Sequence, residues 1–150
     1  FSKVNAGKAS TYGLSANLAL NAYGPLSVSA SLGYTRGRSV TNREPLTGIP
    51  PLNGSFGIAW KTDRYMLEST ARYSAGQFRL SAEDVLDLRI PEGGTPGWYT
   101  VGARGSLNAG AQVKIHVAIE NIMDLNYREH SSGLNSPGRN FILGLSLRYK

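Results

Sequence analysis

From Leu26 to Thr35 the chain alternates apolar and small polar residues at every position: Leu26-Ser27-Val28-Ser29-Ala30-Ser31-Leu32-Gly33-Tyr34-Thr35. A period of two sends successive side chains to opposite faces, which is strand geometry and not helix geometry. The preceding segment behaves alike, with Tyr12, Leu14, Ala16, Leu18 and Leu20 set against Gly13, Ser15, Asn17, Ala19 and Asn21. Phe56, Ile58 and Trp60 alternate with Ser55, Gly57, Ala59 and Lys61, and Tyr65, Leu67, Ala71 and Tyr73 with Glu68, Thr70 and Arg72. Val113, Ile115, Val117 and Ile119 interleave with Gln112, Lys114, His116 and Glu120. In the last segment Phe141, Leu143, Leu145, Leu147 and Tyr149 oppose Asn140, Gly144, Ser146 and Arg148. Residues 98–109 carry the pattern more weakly. The expectation is about seven strands of roughly ten residues, close to the ~9–11 that cross a bilayer at a tilt of ~45°.

The chemistry of the two faces differs. One carries Lys61, Glu68, Arg72, Lys114, His116, Glu120 and Arg148 in mid-strand. Cations buried in hydrocarbon cost ~2–4 kcal/mol each at the midplane, and carboxylates less, so that face meets water. The other is apolar, with Tyr12, Tyr34, Trp60, Tyr65, Tyr73 and Tyr149 near strand ends, as a membrane-interface girdle requires. A soluble β-sandwich also alternates, but its strands are typically shorter, ~5–6 residues.

The connections alternate in length: short at Tyr23-Gly24-Pro25, Thr62-Asp63-Arg64 and Asn108-Ala109-Gly110, long from about Arg36 to Pro50, Leu80 to Gly97 and Asn126 to Arg139. An antiparallel meander then has tight turns at one end and large loops at the other, as outer-membrane barrels do with their periplasmic turns and extracellular loops. With the short turns periplasmic, the final strand runs inward and Lys150 lies in the periplasm. Asn53-Gly54, a hairpin dipeptide by composition, is read as the start of a strand, because the alternation continues from it and Pro50-Pro51 already closes the loop before it.

Composition sharpens this picture. No stretch approaches the ~18 consecutive apolar residues of a membrane helix, and mean hydropathy is negative. A barrel tolerates that average because only alternate residues meet lipid. The absence of Cys among 150 residues removes disulfide frameworks, thiolate zinc sites and thiol nucleophiles together. The formal charge of +6 suits a nucleic-acid binder in principle. Such a binder wants a basic face with aromatic stacking platforms, whereas here the aromatics lie opposite the mid-strand charges, so no nucleic-acid partner is expected. The chain opens on Phe1 with no leader pattern before its first strand and is read as a piece of a longer protein.

The stretch Ala118-Ile119-Glu120-Asn121-Ile122-Met123-Asp124-Leu125-Asn126-Tyr127-Arg128 resembles the signature near the end of TonB-dependent receptors. It runs on into Glu129-His130-Ser131-Ser132-Gly133-Leu134-Asn135-Ser136-Pro137-Gly138-Arg139-Asn140, similar to the loop before that family's last strand, and Asp87 to Trp98 resembles another of its outer loops. The motifs also have local readings: Asn121 and Asp124 are suited to bonding nearby backbone where the strand pattern breaks, and Pro137-Gly138 to ending a loop. The last strand resembles the assembly signal of outer-membrane proteins at Gly144, Leu147 and Tyr149, departing from it at Ile142 and Lys150. The resemblance implies an all-β, antiparallel up-and-down transmembrane β-barrel segment, with residues 1–150 the C-terminal portion of a barrel of about twenty-two strands around a plug not present in this chain. It implies a bacterial outer-membrane receptor for energised import of a scarce ligand such as a siderophore, haem, cobalamin or glycan. Its partners would be outer-membrane lipid and lipopolysaccharide, the barrel assembly machinery, the small imported ligand, and a periplasmic TonB-type coupling protein acting through segments absent here. A small free-standing structural barrel without transport role is the alternative; it would need an even number of strands, commonly eight.

No catalytic, cofactor or metal site is expected. His116 and Glu120 share a face but stand ~13 Å apart at ~3.3 Å per residue, too far for one metal. His130, a lone loop histidine, joins Arg89, Arg128 and Arg139 as candidates for ligand contact in the outer loops. Ser131-Ser132-Gly133 and Gly93-Gly94 are turn-forming clusters without a phosphate-cradle motif. Arg36, Arg38, Arg43 and Arg79 complete a basic rim in or beside the long loops, facing lipopolysaccharide phosphates, an anionic ligand or plain solvent.

Overall fold

The structure, a computed structural model, describes residues 7–149. Seven strands follow one another in space as they do in sequence: β1 Ala9–Tyr23, β2 Leu26–Ser39, β3 Asn53–Lys61, β4 Tyr65–Ser74, β5 Trp98–Asn108, β6 Val113–Glu120 and β7 Asn140–Leu147. Each pairs antiparallel with the next, and β1 and β7 are the two edges of an open sheet. Strands and short turns fall where the period-two pattern puts them, and Asn53 begins β3 as expected. The expected place of Lys150 lies outside the described residues.

Register turns the alternation into two continuous surfaces. Directly opposed residues share a face. On one face Leu20 meets Val28 and Val28 meets Ile58; Leu26 meets Trp60, Trp60 meets Leu67, Leu67 meets Gly105, Gly105 meets Val117 and Val117 meets Leu143. On the other, Ser31 meets Ser55, Ser55 meets Arg72 and Arg72 meets Thr100, while Glu68 meets Arg104. The apolar face has no protein over it: Leu14 is 62% exposed, Val117 52% and Leu145 65%, with Val28 half-buried. An uncovered apolar sheet of this width is unstable in water and suited to lipid. Tyrosines and one tryptophan fringe it, with Tyr12, Tyr34, Tyr73 and Tyr99 towards the long loops and Tyr23, Trp60, Tyr65 and Tyr149 towards the short turns. A register shift between Asn21 and Tyr23 brings Tyr23 opposite Leu26, onto the apolar face.

The structure departs from the sequence expectation in all three long loops: the second starts after Ser74 rather than at about Leu80, and the third after Glu120 rather than at about Asn126. The first long loop was expected from about Arg36, yet β2 continues to Ser39, because pairing with β1 extends to Ala9↔Ser39 after apolar alternation stops at Thr35. The second long loop contains a short helix, α1, Ala82–Leu86. A capping box starts it: Ser81 Oγ accepts from Asp84 N at 3.0 Å and the Asp84 carboxylate accepts from Ser81 N at 2.9 Å.

Candidate functional site in the lumen and outer loops

The polar face forms a wall of hydroxyls and charges beneath the long loops. Ser31 and Ser55 hydroxyls are 2.7 Å apart. Arg104 donates to both carboxylate oxygens of Glu68 at 2.8 Å, and Thr70 donates to the same carboxylate at 3.2 Å. Higher up, Arg72 pairs with Glu129 at 3.0 Å and lies over the Trp98 ring at 5.3 Å. Trp98 stacks on Tyr127 with ring centroids 4.2 Å apart and is only 7% exposed. Its place in the register, opposite Ser74, turns it inward, so the third long loop is anchored over the lumen wall by an aromatic pair and an ion pair together. An open cleft of about 660 Å³ lies against this wall, lined by Glu68, Arg72, Arg104, Glu120, Tyr127 and Glu129 among others. A depression of similar size on the opposite face is lined by Leu26, Trp60, Leu67, Val117 and Phe141, side chains suited to acyl chains rather than to a polar ligand.

Hydrogen bonds between loops 40–52, 75–97 and 121–139 make one interlocked cap. Asp84, buried in the first turn of α1, also accepts from Gly48 N at 3.0 Å, and Gln77 donates to the Ile49 carbonyl at 2.7 Å, joining the first two loops. Thr95 Oγ1 and His130 Nδ1 are 2.9 Å apart, and Arg128 donates to the Arg89 carbonyl at 3.3 Å, joining the second to the third. The third loop is braced by the signature residues themselves. Asn121, with φ of 47°, donates to the carbonyls of Leu125 and Pro137 and accepts from Leu125 N. Asp124 accepts from Arg139 N at 2.7 Å. A Cβ on Gly138 would stand 2.6 Å from that same Asp124 oxygen, which explains a glycine there.

Of the four sequence candidates, Arg89, Arg128 and His130 meet where the second and third loops join, while Arg139 closes the third loop just before β7, bonded within that loop. All four are engaged by neighbours. Arg89 forks onto Asp87 at 2.7–3.1 Å and holds that carboxylate's pKa down to about 2. Arg128 donates to Asn135 at 2.8 Å and Arg139 to the Ile122 carbonyl at 2.9 Å. Burial lowers the His130 pKa, opposed by the carboxylates of Asp84 and Asp87, and its Nε2 is buried with no hydrogen-bond partner among the described residues. His116 and Glu120 serve the wall separately, through Ser146 at 3.1 Å and Asn140 at 3.4 Å. Among the described residues no three His, Asp or Glu side chains cluster as a metal site. Sequence reasoning missed Trp98 and Asp84; the parity of Trp98 with Thr100 and Arg104, and the Ser81-x-x-Asp84 spacing, were the available signals.

A family model described as TonB dependent receptor-like, beta-barrel matches residues 1–122. The chain belongs to this family. Its members are transport receptors of the bacterial outer membrane, and this chain is a segment of such an outer-membrane barrel. No curated protein matches it significantly in sequence. Solved structures share the fold: the copper transporter OprC at 21% identity, with 93% of this chain and 23% of that one covered and a TM-score of 0.81. The ferric-catecholate import receptor Fiu from K12 E. coli matches at 14% identity over 95% of this chain and 21% of that one, TM-score 0.71. A mutant of the ferric enterobactin receptor PfeA from Pseudomonas aeruginosa matches at 18% identity over 90% and 22%, TM-score 0.69. The chain thus spans under a quarter of these structures' own length.

Proposed function

We propose that this chain forms the last strands and outer loops of an active-transport receptor of about twenty-two strands, whose plug and energy-coupling segment belong to a longer protein. The observation carrying this reading is the pairing of the family match with a charged lumen wall, Glu68–Arg104 and Arg72–Glu129, under a cap of three interlocked loops. A wet, charged interior below ordered outer loops suits capture of a polar cargo outside and its release inward. Metal chelates such as siderophores are favoured over other scarce ligands, since the similar structures include a copper transporter and ferric-siderophore receptors. In the cap, Arg89, Arg128 and His130 are the cargo-facing candidates. Gly144, Leu147 and Tyr149 in and after β7 are proposed as the assembly signal; Leu147 and Tyr149 lie on the exposed apolar face and Gly144 on the polar one.

The test is uptake by cells stripped of their own receptors and expressing the full-length protein, offered iron-55 enterobactin, iron-55 citrate or copper-64. Accumulation of one probe that stops with a protonophore supports the proposal. Passive influx unaffected by the protonophore, or no accumulation of any probe beside a folded barrel, would reject it in favour of a structural barrel.

A further inference from the structure

A period of two fixes which face each side chain takes but leaves register open in steps of two residues, because a slide of two returns every side chain to its own face. The pairing of β6 with β7 is open in this way. Ile115, Val117 and Ile119 oppose Leu145, Leu143 and Phe141. With β7 slid by two they would oppose Leu147, Leu145 and Leu143, an apolar surface of the same make. On the polar face Lys114 would meet Arg148 in place of Ser146, a repulsion that water in the lumen screens. A short turn settles the register of β6 against β5, but residues 121–139 separate β6 from β7, and β7 has no second partner among the described strands.

A clasp between the two ends of that loop supplies what apolar pairing and turn geometry do not. Asn121 Nδ2 donates to the Pro137 carbonyl at 3.1 Å, Asp124 Oδ1 accepts from Arg139 N at 2.7 Å, and Arg139 Nε donates to the Ile122 carbonyl at 2.9 Å. The near end is tied to the sheet, since Ile122 N donates to the Val101 carbonyl of β5 at 2.9 Å. Asn121 is buried, and Asn121 and Asp124 both hold left-handed backbone, with φ of 47° and 55°. The far end discriminates by what two of its residues lack. Slide β7 one way and Asn140 takes the place of Gly138, where a Cβ stands 2.6 Å from the Asp124 oxygen. Slide it the other way and Pro137 takes the place of Arg139, where Asp124 needs an N–H that proline does not have. Either slide also takes the Arg139 side chain away from the Ile122 carbonyl.

We propose that Asn121, Asp124, Pro137, Gly138 and Arg139 form a register lock, which selects one pairing of β7 with β6 from the set, spaced by two residues, that the apolar face accepts. The outer edge of β7 passes this choice on, so the lock also sets the stagger with which a further strand joins there and the barrel closes. The lock acts in barrel assembly and is independent of the cargo.

The experiment reads register in the full-length receptor assembled in cells. The Val113 carbonyl turns to Ala109 and the Gln112 carbonyl to Arg148, so Val113, Val117 and the residues between them on the apolar face form the closely spaced pairs with β7, in which a disulfide can close. A receptor carrying Val117→Cys, Leu143→Cys and Leu145→Cys offers one thiol two partners. After oxidation of the membranes with copper phenanthroline, peptide mass spectrometry counts closure between positions 117 and 143, the observed register, against closure between 117 and 145, the slid one. With the clasp intact the first should dominate. Asp124→Gly, which suits the left-handed backbone and removes the carboxylate, should raise the slid-to-observed ratio roughly tenfold or more, the usual weight of a hydrogen bond to a charged acceptor. Asp124→Asn keeps an acceptor in place and should stay near the parent. Replacing residues 126–136 by a Gly-Ser linker of equal length strips the loop's contacts with Trp98, Arg72 and Arg89 but spares the clasp, and should leave the ratio unchanged. If Asp124→Gly does not reach the heat-modifiable folded form, Gly138→Ala takes its place with the same expectation, because it sets a Cβ against Asp124 in the observed register too. A ratio unchanged by the clasp variant, or raised as far by the linker or by Asp124→Asn, overturns the proposal.

Discussion

Val117 and His116 are neighbours in β6 with opposite fates, which makes them the sharpest probe of the two-faced sheet. Val117 is exposed on the apolar face between Gly105 and Leu143; His116 points the other way, beside Ser146. Val117 lies about four residues past the short turn, ~13 Å along the strand at ~3.3 Å per residue. A tilt near 40° converts this to ~10 Å of height, within a few ångströms of the middle of an apolar band ~25 Å tall. Val117→Arg should therefore destabilise the folded barrel by about 2–3 kcal/mol, near the midplane cost of an arginine in lipid. His116→Arg, in a wet lumen beside small and polar groups, should stay within about 0.5 kcal/mol of the parent. Denaturant titrations of the full-length receptor folded into lipid vesicles, followed by heat-modifiability on gels, read both numbers. In a water-soluble sheet Val117 would already face solvent, and an arginine there would cost little. Equal stabilities for the two variants would therefore refute the assignment of faces and with it the membrane reading.

Two further outcomes follow from the cap. Gly138→Ala forces the Asp124 carboxylate off the Arg139 amide, so loop 121–139 should lose about 1–3 kcal/mol of protection in hydrogen exchange while the barrel keeps its heat-modifiable form; unchanged loop protection would contradict the clasp. Because burial depresses the His130 pKa, the docked loop holds a neutral ring: its contribution is complete above the unfolded value near 6.5 and declines as pH falls below it. Protease cleavage in loop 121–139 should accordingly rise between pH 7.5 and 5.5, and His130→Gln should flatten that rise; a pH response identical in the variant would locate the titrating group elsewhere.

The strands were legible because the membrane imposes a simple rule on them, one solvent per face, and a period of two records it. Even the start of β3 at Asn53 could be told from a hairpin turn, since alternation resumes from it. The rule stops where the solvent does. Beyond Thr35 no apolar partner marks the strand, and backbone pairing with β1 on one edge and with residues 44–46 on the other carries β2 on to Ser39. The cap obeys tertiary contacts instead of period. Asn121 and Asp124 were readable as backbone braces because they act within their own loop, but Asp84 reaches Gly48 across 36 residues and His130 reaches Thr95 across 35. Arg89 and Arg128 looked like free cations in a basic rim and are found occupied by Asp87 and Asn135. Their neighbours, not their residue type, set their availability to a ligand.

The same reasoning bears on the sheet's edges. In hydrocarbon each unsatisfied backbone N–H or C=O costs several kcal/mol, and water cannot reach in to relieve it. β1 presents one such edge along Ala9–Tyr23 and β7 another along Asn140–Leu147, both flanked by uncovered apolar side chains. Side-chain burial in lipid favours membrane insertion of this sheet, and its open edges oppose it with a penalty that grows with strand length. The two demands are met together only when further strands pair with β1 and β7 and the sheet closes on itself. The apolar surface therefore dictates the solvent, and the solvent in turn dictates closure; the wet, charged lumen lined by Glu68, Arg72 and Arg104 follows from geometry once the circle is complete.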